Sequence, residues 1–201
     1  GLLQPVADGL KLFMKEDIIP ATADRPLFIL APFLIFIGAL TGFIAVPFGE
    51  KIIIADMNIG IFYIVGIGSL AVIALILAGW SSNNKWALYG GMRSAAQIIS
   101  YEIPAGISLV TVIMLASSLS MQDIISYQSG GIFNWIIFDN PFMPIVFIIF
   151  FISTLAETNR TPFDLPESES ELVAGFVTEY SGTRYALFFL SEYANMFVVC
   201  A

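Results

Sequence analysis

Carboxylate side chains are concentrated in one stretch of the sequence, AETNRTPFDLPESESELVAGFVTEYSG, which occupies residues 156–182. Six of its residues are acidic, in a chain that is 58% hydrophobic, and carboxylates can take up and release protons. Part of this charge has a local explanation, because Asp164, Pro166 and Glu167 match a capping box with proline in the first turn of a helix. Glu167 and Glu171, however, are like charges four residues apart, which repel each other. Helix capping alone therefore does not account for the charge.

Three other positions, Glu102, Glu157 and Glu192, place carboxylates in or beside apolar stretches of the sequence. If the span that carries Glu102 begins near Ala95 and the helix that carries Glu192 begins near Tyr185, a rise of about 1.5 Å per residue puts both side chains roughly 10 Å deep, measured from the inside face. An ionised carboxylate inside a bilayer costs on the order of 2.5–3.5 kcal/mol. An intramembrane acid is therefore a functional candidate by default.

The structural alternative for these acids is an ion pair with a nearby arginine, for example Arg93 or Arg160. The apolar run over residues 142–155 is too short to cross a bilayer, so we expect its helix to continue to Asn159. Glu157 and Arg160 would then share one face near the inner end of that helix.

The composition restricts the class of protein. Only 12% of the residues are charged, against about a quarter in soluble domains, so most of the chain must face lipid or other apolar helices. One cysteine and no histidine leave no internal disulfide and no ligand set for zinc, haem or an iron–sulfur cluster, and no nucleotide-binding fingerprint is present. We therefore expect an all-α, polytopic transmembrane helix bundle with no redox centre or metal site of its own.

Long apolar helices must position the acidic residues. Nearly uncharged stretches of membrane-spanning length predict five spans within residues 27–201: Leu27–Val46, Ile59–Trp80, Ala95–Leu119, about Phe142–Asn159, and Tyr185 onward. Gly1 is not a start methionine and Ala201 lies inside an apolar run. We therefore expect an internal piece of a longer protein.

Residues 1–20 have a different pattern. At helical spacing, apolar side chains share one face and polar side chains the other: Leu2, Val6, Leu10 and Phe13 against Gln4, Asp8, Lys11 and Lys15. Such a helix lies in the membrane interface rather than across it. It is either a surface anchor or part of the entry for a lipid-soluble ligand.

Basic residues predict the orientation, because inside loops are enriched in Lys and Arg. Lys51 falls on one side of the five spans, and seven residues fall on the other: Lys11, Lys15, Arg25, Lys85, Arg93, Arg160 and Arg184. The acidic loop at about residues 157–184 is therefore predicted to face the inside.

Four segments together resemble one family. The acidic stretch, GLLQPVADGLKLFMKE, GWSSNNKWAL with MRSAAQIISYE, and ALFFLSEYANM are similar to segments of the quinone-site membrane subunit of respiratory complex I. This is the H subunit of the bacterial NADH:quinone oxidoreductase and the NADH dehydrogenase subunit 1 of mitochondria. The similarity runs from Gly1 to Ala201, without the family's first helix and the region after the sixth.

The resemblance implies a subunit of a proton-translocating NADH:quinone oxidoreductase, in the bacterial plasma membrane or the mitochondrial inner membrane. Quinone would be the substrate, and the electron would come from an iron–sulfur cluster in a partner subunit. Its partners would be the soluble subunits of the peripheral arm, the neighbouring membrane subunits and lipid, with no nucleic acid.

The resemblance also implies roles for particular residues, none of them catalytic. The quinone cavity and its loop would include Asp8, Arg160, Asp164, Glu167, Glu169 and Glu171. The proton path would include Tyr101, Glu102, Glu157, Glu179 and Glu192. Contacts with the peripheral arm would come from Lys85 and Arg93.

Two alternatives remain open from the sequence. One is the related membrane subunit of a proton-pumping hydrogenase complex, which has no quinone to reduce. The other is a stand-alone ion transporter, because transporters also use intramembrane acids. The acidic stretch favours the quinone-linked subunit over the first, and the absence of an evident internal repeat argues against the second.

Overall fold

The structure is a computed structural model that describes residues 3–49, 52–164 and 173–201. These residues form α-helices joined by short connections, and the strand-like pairing among them is one bridge between Gly49 and Ile52. The helices are α1 (Gln4–Met14), α2 (Arg25–Gly42), α3 (Gly60–Gly68), α4 (Leu70–Ser81), α5 (Lys85–Ala116), α6 (Met121–Tyr127), α7 (Ile136–Asp139), α8 (Met143–Glu157) and α9 (Gly182–Cys200). Two 3₁₀ turns cover Ile132–Asn134 and Gly175–Val177. The predicted all-α fold is confirmed.

Three helical segments of the described chain are long and apolar enough to cross a membrane: Arg25–Gly42, Gly60–Ser81 and Lys85–Ala116. Helix α8 has 15 residues, about 22 Å at 1.5 Å per residue, which is shorter than a hydrocarbon core of about 30 Å. Helix α9 has 19 residues but is less apolar. The chain is thus a polytopic membrane protein, while the division into five spans stays a prediction.

The bundle is built around α4. This helix packs against α2 and α5, while α8 packs on α5 and α9 packs on α2. Phe28, Leu75, Ile98 and Phe188 belong to the buried core between these helices. Many large apolar side chains on the outer faces are exposed, as a lipid-facing surface requires.

Helix α5 begins at Lys85, ten residues before the predicted span. The start is fixed by Asn84, whose side-chain oxygen accepts a hydrogen bond from the backbone N–H of Trp86 at 2.9 Å. Glu102 consequently lies about 25 Å along the helix from its start, at 1.5 Å per residue. The helix is longer than a bilayer core of about 30 Å, so its start does not fix the depth of Glu102 in the membrane, which stays a prediction.

The end of α8 also differs from the prediction. The helix ends at Glu157 instead of continuing to Asn159, whose φ is +50°. The backbone N–H of Arg160 then donates to the carbonyl of Leu155 at 3.1 Å, which closes a turn. Glu157 and Arg160 therefore do not share a helix face.

The predicted inside ends of the helices lie together. Arg25, Lys85 and Arg184 each lie in the first turn of a helix, α2, α5 and α9 respectively. Asp17 pairs with Arg184 at 3.1 Å, and the Asn83 amide donates to the carbonyl of Thr22 at 3.2 Å. Arg25, Lys85 and Arg184 thus lie at one end of the bundle, while Lys51 lies outside the described residues and the inside orientation stays a prediction.

Candidate functional site

A cavity of about 550 Å³ lies between the helices. Its lining comes from α2 to α6, α8 and α9 and is mostly apolar. Three carboxylates reach it from different helices: Glu102 from α5, Glu157 from α8 and Glu192 from α9. The three intramembrane acids singled out in the sequence are therefore brought to one cavity.

Glu102 and Glu157 are two neighbouring members of this group. Both are half-buried, and they lie close enough for their charges to interact. Within the described residues, no hydrogen bond or ion pair reaches either carboxyl group. These two carboxylates thus share an apolar cavity without a fixed donor.

Glu192 has a different environment because it pairs with Arg160 at 3.3 Å. The Arg160 Nε donates to the Met196 sulfur at 3.0 Å, and the guanidinium lies 5.1 Å from the centre of the Tyr193 ring. The structural alternative, an ion pair with arginine, therefore applies to Glu192. Asp164, which is exposed, lies close enough for its charge to interact with that of Glu192.

Gln97 organises the start of the acidic stretch, and sequence reasoning missed it. Its amide nitrogen lies 2.9 Å from the carbonyl of Ala156, 3.1 Å from the side-chain oxygen of Asn159 and 2.8 Å from the carbonyl of Phe163. One turn further along α5, the Tyr101 ring contacts the Phe163 ring at 5.2 Å. The signal in the sequence was a glutamine four residues before Tyr101, on the same helix face.

The end of the acidic stretch returns to the start of α5. Glu179 accepts a hydrogen bond from the Asn84 amide at 2.7 Å. Asn84 and Glu102 are 18 residues apart, about 27 Å along the helix. Glu179 therefore does not join the carboxylates at the cavity, although it was predicted on the same proton path.

The remaining predicted site residues that the structure describes do not line the cavity. Asp8 lies on α1 and accepts a hydrogen bond from Gln4 at 3.2 Å. Lys85 and Arg93 are exposed on the first half of α5. Glu167, Glu169 and Glu171 lie outside the described residues. In the described part of the chain, the carboxylates are not grouped closely enough to hold a metal ion.

Tyr180 secures the end of the acidic stretch against the helix core. Its ring stacks on Phe28 at 4.1 Å, and its hydroxyl lies 3.3 Å from the Ser81 hydroxyl. Burial raises the pKa of Tyr180 to about 12, although the hydrogen bond with Ser81 and the charge of Arg184 act in the opposite direction. The phenol is therefore a neutral, structural group.

This all-α membrane bundle, with carboxylates at a central cavity, matches one protein family along its whole length. The model of the NADH dehydrogenase family covers residues 1–201, and the chain belongs to that family. The resemblance found in the sequence is confirmed.

Curated relatives are named as the H subunit of NADH-quinone oxidoreductase. The relative from Chlorobaculum tepidum is 56% identical over 203 residues, which cover 100% of this chain and 56% of the relative. The relative from Anaeromyxobacter dehalogenans is 55% identical, and the match covers 100% of this chain and 49% of the relative. The relative from Geobacter sulfurreducens, an H subunit numbered 1, is 50% identical, with 100% and 62% covered. The chain thus spans about half the length of the curated relatives it matches.

Proposed function

We propose that this chain belongs to the membrane subunit of a proton-translocating NADH:quinone oxidoreductase. It would form part of the quinone cavity and the acidic path that couples quinone reduction to proton pumping. The observation that carries the proposal is the convergence of Glu102, Glu157 and Glu192 on one cavity. Relatives named as a subunit of NADH-quinone oxidoreductase, at 50–56% identity over the whole chain, support it.

The pair between Arg160 and Glu192 supplies the link between the two parts of this function. Reduction of a quinone to a quinol takes two electrons and two protons, so charge near the quinone changes during turnover. Arg160 and Asp164 belong to the proposed quinone region, and both act electrostatically on Glu192. A change of charge there would therefore reach Glu192 directly.

The change of charge at Glu192 would next alter the protonation of Glu102 and Glu157. Carboxylates that interact strongly titrate as a coupled set, so a change in one alters the proton occupancy of the others. A shift of one pKa unit corresponds to about 1.4 kcal/mol, so a modest change in local field is enough to move a proton. With no fixed donor among the described residues, both side chains would be able to exchange protons.

We propose that the electrons come from a partner subunit. An iron–sulfur cluster usually takes four cysteine thiolates, and this chain has one cysteine and no histidine. We assign that cluster to a soluble subunit of the peripheral arm, with Lys85 and Arg93 as exposed contacts on this chain. The basic end of the bundle would face the cytoplasm of a bacterium or the mitochondrial matrix.

The amphipathic helix α1 supports the proposed contact with lipid. Val6, Leu10 and Phe13 are 59–65% exposed, so the described residues give their common face little cover. An apolar face flanked by lysines is suited to the membrane interface. Asp8, on the polar face, would lie at the entrance of the quinone cavity.

The test is Glu157→Gln in the assembled complex. Glutamine keeps the size of the side chain but cannot ionise, so we expect assembly on native gels to be normal. Quinone reduction and proton uptake in reconstituted vesicles should fall together, by about tenfold or more, which corresponds to about 1.4 kcal/mol in the barrier.

Asp139→Asn is the matched control. Asp139, the last residue of α7, is an exposed acid that accepts a hydrogen bond from Tyr127 at 3.0 Å. This change should leave both rates unaltered. Pumping at the normal rate in Glu157→Gln would remove Glu157 from the path.

A further inference from the structure

Gln97, on α5, spans the turn that follows α8. Its amide nitrogen faces three oxygen acceptors, at 2.9 Å on Ala156, 3.1 Å on Asn159 and 2.8 Å on Phe163. The Ala156 carbonyl is among the last four of α8, which lack a regular i to i+4 partner, and it accepts a 3.3 Å bond from the N–H of Asn159 in the turn as well. A side chain from a neighbouring helix therefore completes the end of α8.

The turn's own backbone bonds lie within it. The N–H of Asn159 donates to Ala156 at 3.3 Å, that of Arg160 to Leu155 at 3.1 Å, and that of Phe163 to the carbonyl of Arg160 at 2.7 Å. These bonds fix the backbone within the turn, but none of them joins the turn to another helix of the bundle. Gln97 does so, because it binds the chain on both sides of Arg160.

The position of the turn decides whether the Arg160 side chain can contact α9. The guanidinium pairs with Glu192 at 3.3 Å and lies over the Tyr193 ring at 5.1 Å, both on α9. A turn that moved away from α5 would change these distances. Gln97 does not itself line the cavity, and its bonds go to the turn on either side of Arg160. Any influence of Gln97 on Glu192 therefore passes through the turn.

We propose that Gln97 is a positioning residue, which holds the turn at residues 156–163 on α5 so that Arg160 is presented to Glu192. The effect on turnover rests on the proposed function, whereas the effect on the turn does not. The chemistry requires a donor at this position, because all three partners are oxygen acceptors.

The test uses two variants of similar length in the assembled complex. Gln97→Met keeps the length but removes the donor, and Gln97→Glu replaces the donor by acceptors that face three oxygens. We expect the backbone amides of Arg160 and Phe163 to exchange with deuterium about tenfold faster in Gln97→Met. The increase should be at least as large in Gln97→Glu.

The control is Ser100→Ala, one turn away on the same helix. The Ser100 hydroxyl donates to the carbonyl of Ala96, at 2.7 Å and within α5, so its loss leaves the turn unaffected. Exchange at Arg160 and Phe163 should keep the wild-type rate. Wild-type exchange in Gln97→Met, or the same acceleration in Ser100→Ala, would overturn the proposal.

The rate of quinone reduction is a second measurement, and a residue with a purely structural role would not change it. Gln97→Met should reduce quinone slowly with normal assembly. A protonated carboxyl group can donate one hydrogen bond whereas an ionised one cannot, so the rate of Gln97→Glu relative to Gln97→Met should rise as the pH is lowered. Faster exchange with unchanged turnover would contradict the role in presenting Arg160. If the unaltered complex reduced no quinone, the proposed function would fail, and the exchange rates alone would decide the role of Gln97.

Discussion

Two groups of carboxylates in this bundle differ in what surrounds them. At the basic end, Asp17 pairs with Arg184 at 3.1 Å and Glu179 accepts from the Asn84 amide at 2.7 Å. At the cavity, Glu102 and Glu157 have no hydrogen bond or ion pair among the described residues. The first group is held by donors on neighbouring segments, whereas the second faces apolar walls and a like charge.

This difference separates structural acids from acids suited to proton exchange. A carboxylate held by a fixed donor joins two segments, because the bond depends on its ionised oxygens. A carboxylate without a fixed donor loses little when it takes up a proton. The hydrogen bond of Glu179 to Asn84 thus indicates that Glu179 anchors the acidic stretch, and Glu102 with Glu157 are the better candidates for proton exchange.

The largest expected effect is a loss of assembly and stability, at the place where Gly175 and Phe176 pack on α5. At Gly90 an added Cβ would lie 2.5 Å from the Cα of Gly175 and 2.7 Å from the N of Phe176, and backbone atoms cannot move aside cheaply. We expect Gly90→Ala to displace residues 173–181 at a cost of about 1–3 kcal/mol. The yield of assembled complex on native gels, and its thermal stability, should fall.

Gly106→Ala is the control for this prediction. Gly106 lies on the same helix, and no described atom lies within 4 Å of an added Cβ. The change should be neutral or slightly stabilising, because alanine favours a helix more than glycine does. Equal yields for the two variants would mean that the close contact does not hold the acidic stretch.

The second prediction concerns the cavity pair. If Glu102 and Glu157 act as one coupled set, the double change Glu102→Gln with Glu157→Gln should slow turnover no more than the worse single change. We expect about a tenfold loss in each single variant and in the double variant, or about 1.4 kcal/mol in the barrier. Quinone reduction rates of the three complexes provide the measurement, and multiplied losses would mean that the two acids act independently.

A smaller effect is expected at Tyr180, beside Glu179. Tyr180→Phe keeps the ring that stacks on Phe28 but removes the bond to Ser81, which costs about 1 kcal/mol near neutral pH. Heating the complex and measuring subunit dissociation would show the loss, with Tyr89→Phe, at a 60% exposed position, as the control.

The same variant predicts a pH dependence. Because the pKa of Tyr180 is raised from 10 to about 12, its protonated form is favoured in the folded protein. The corresponding stability is present below about pH 10 and is lost as the pH rises through about 12. The deficit of Tyr180→Phe should therefore shrink over this range, and a constant deficit would contradict the burial of the phenol.

The smallest change in stability is expected for Asp17→Asn. The pair with Arg184 is partly exposed, with side-chain exposures of 30% and 15%, and such pairs contribute about 0.2–1 kcal/mol. Turnover should be unchanged, and the thermal stability of the complex should fall slightly at low salt. A large loss of turnover would place Asp17 with the functional acids and remove the distinction between the two groups.

The amino-acid sequence by itself determined the class of this protein and its polar positions. A low content of charge required a membrane protein, and apolar runs of helical length required an all-α bundle. The acids at Glu102, Glu157 and Glu192 stood out because ionised groups are costly among apolar residues. Each of these properties follows from the order of residues along one helix, which is why no knowledge of packing was needed.

Only the tertiary structure decided which of these residues meet. Arg160 pairs with Glu192 rather than sharing a face with Glu157, because the chain leaves the helix after Glu157 and turns toward α9. Gln97 acquired a role only when α5 lay beside the end of α8. The depth and rotation of one helix against another depend on contacts between residues far apart in sequence, such as Gly90 with Gly175, and helical periodicity carries no information about them.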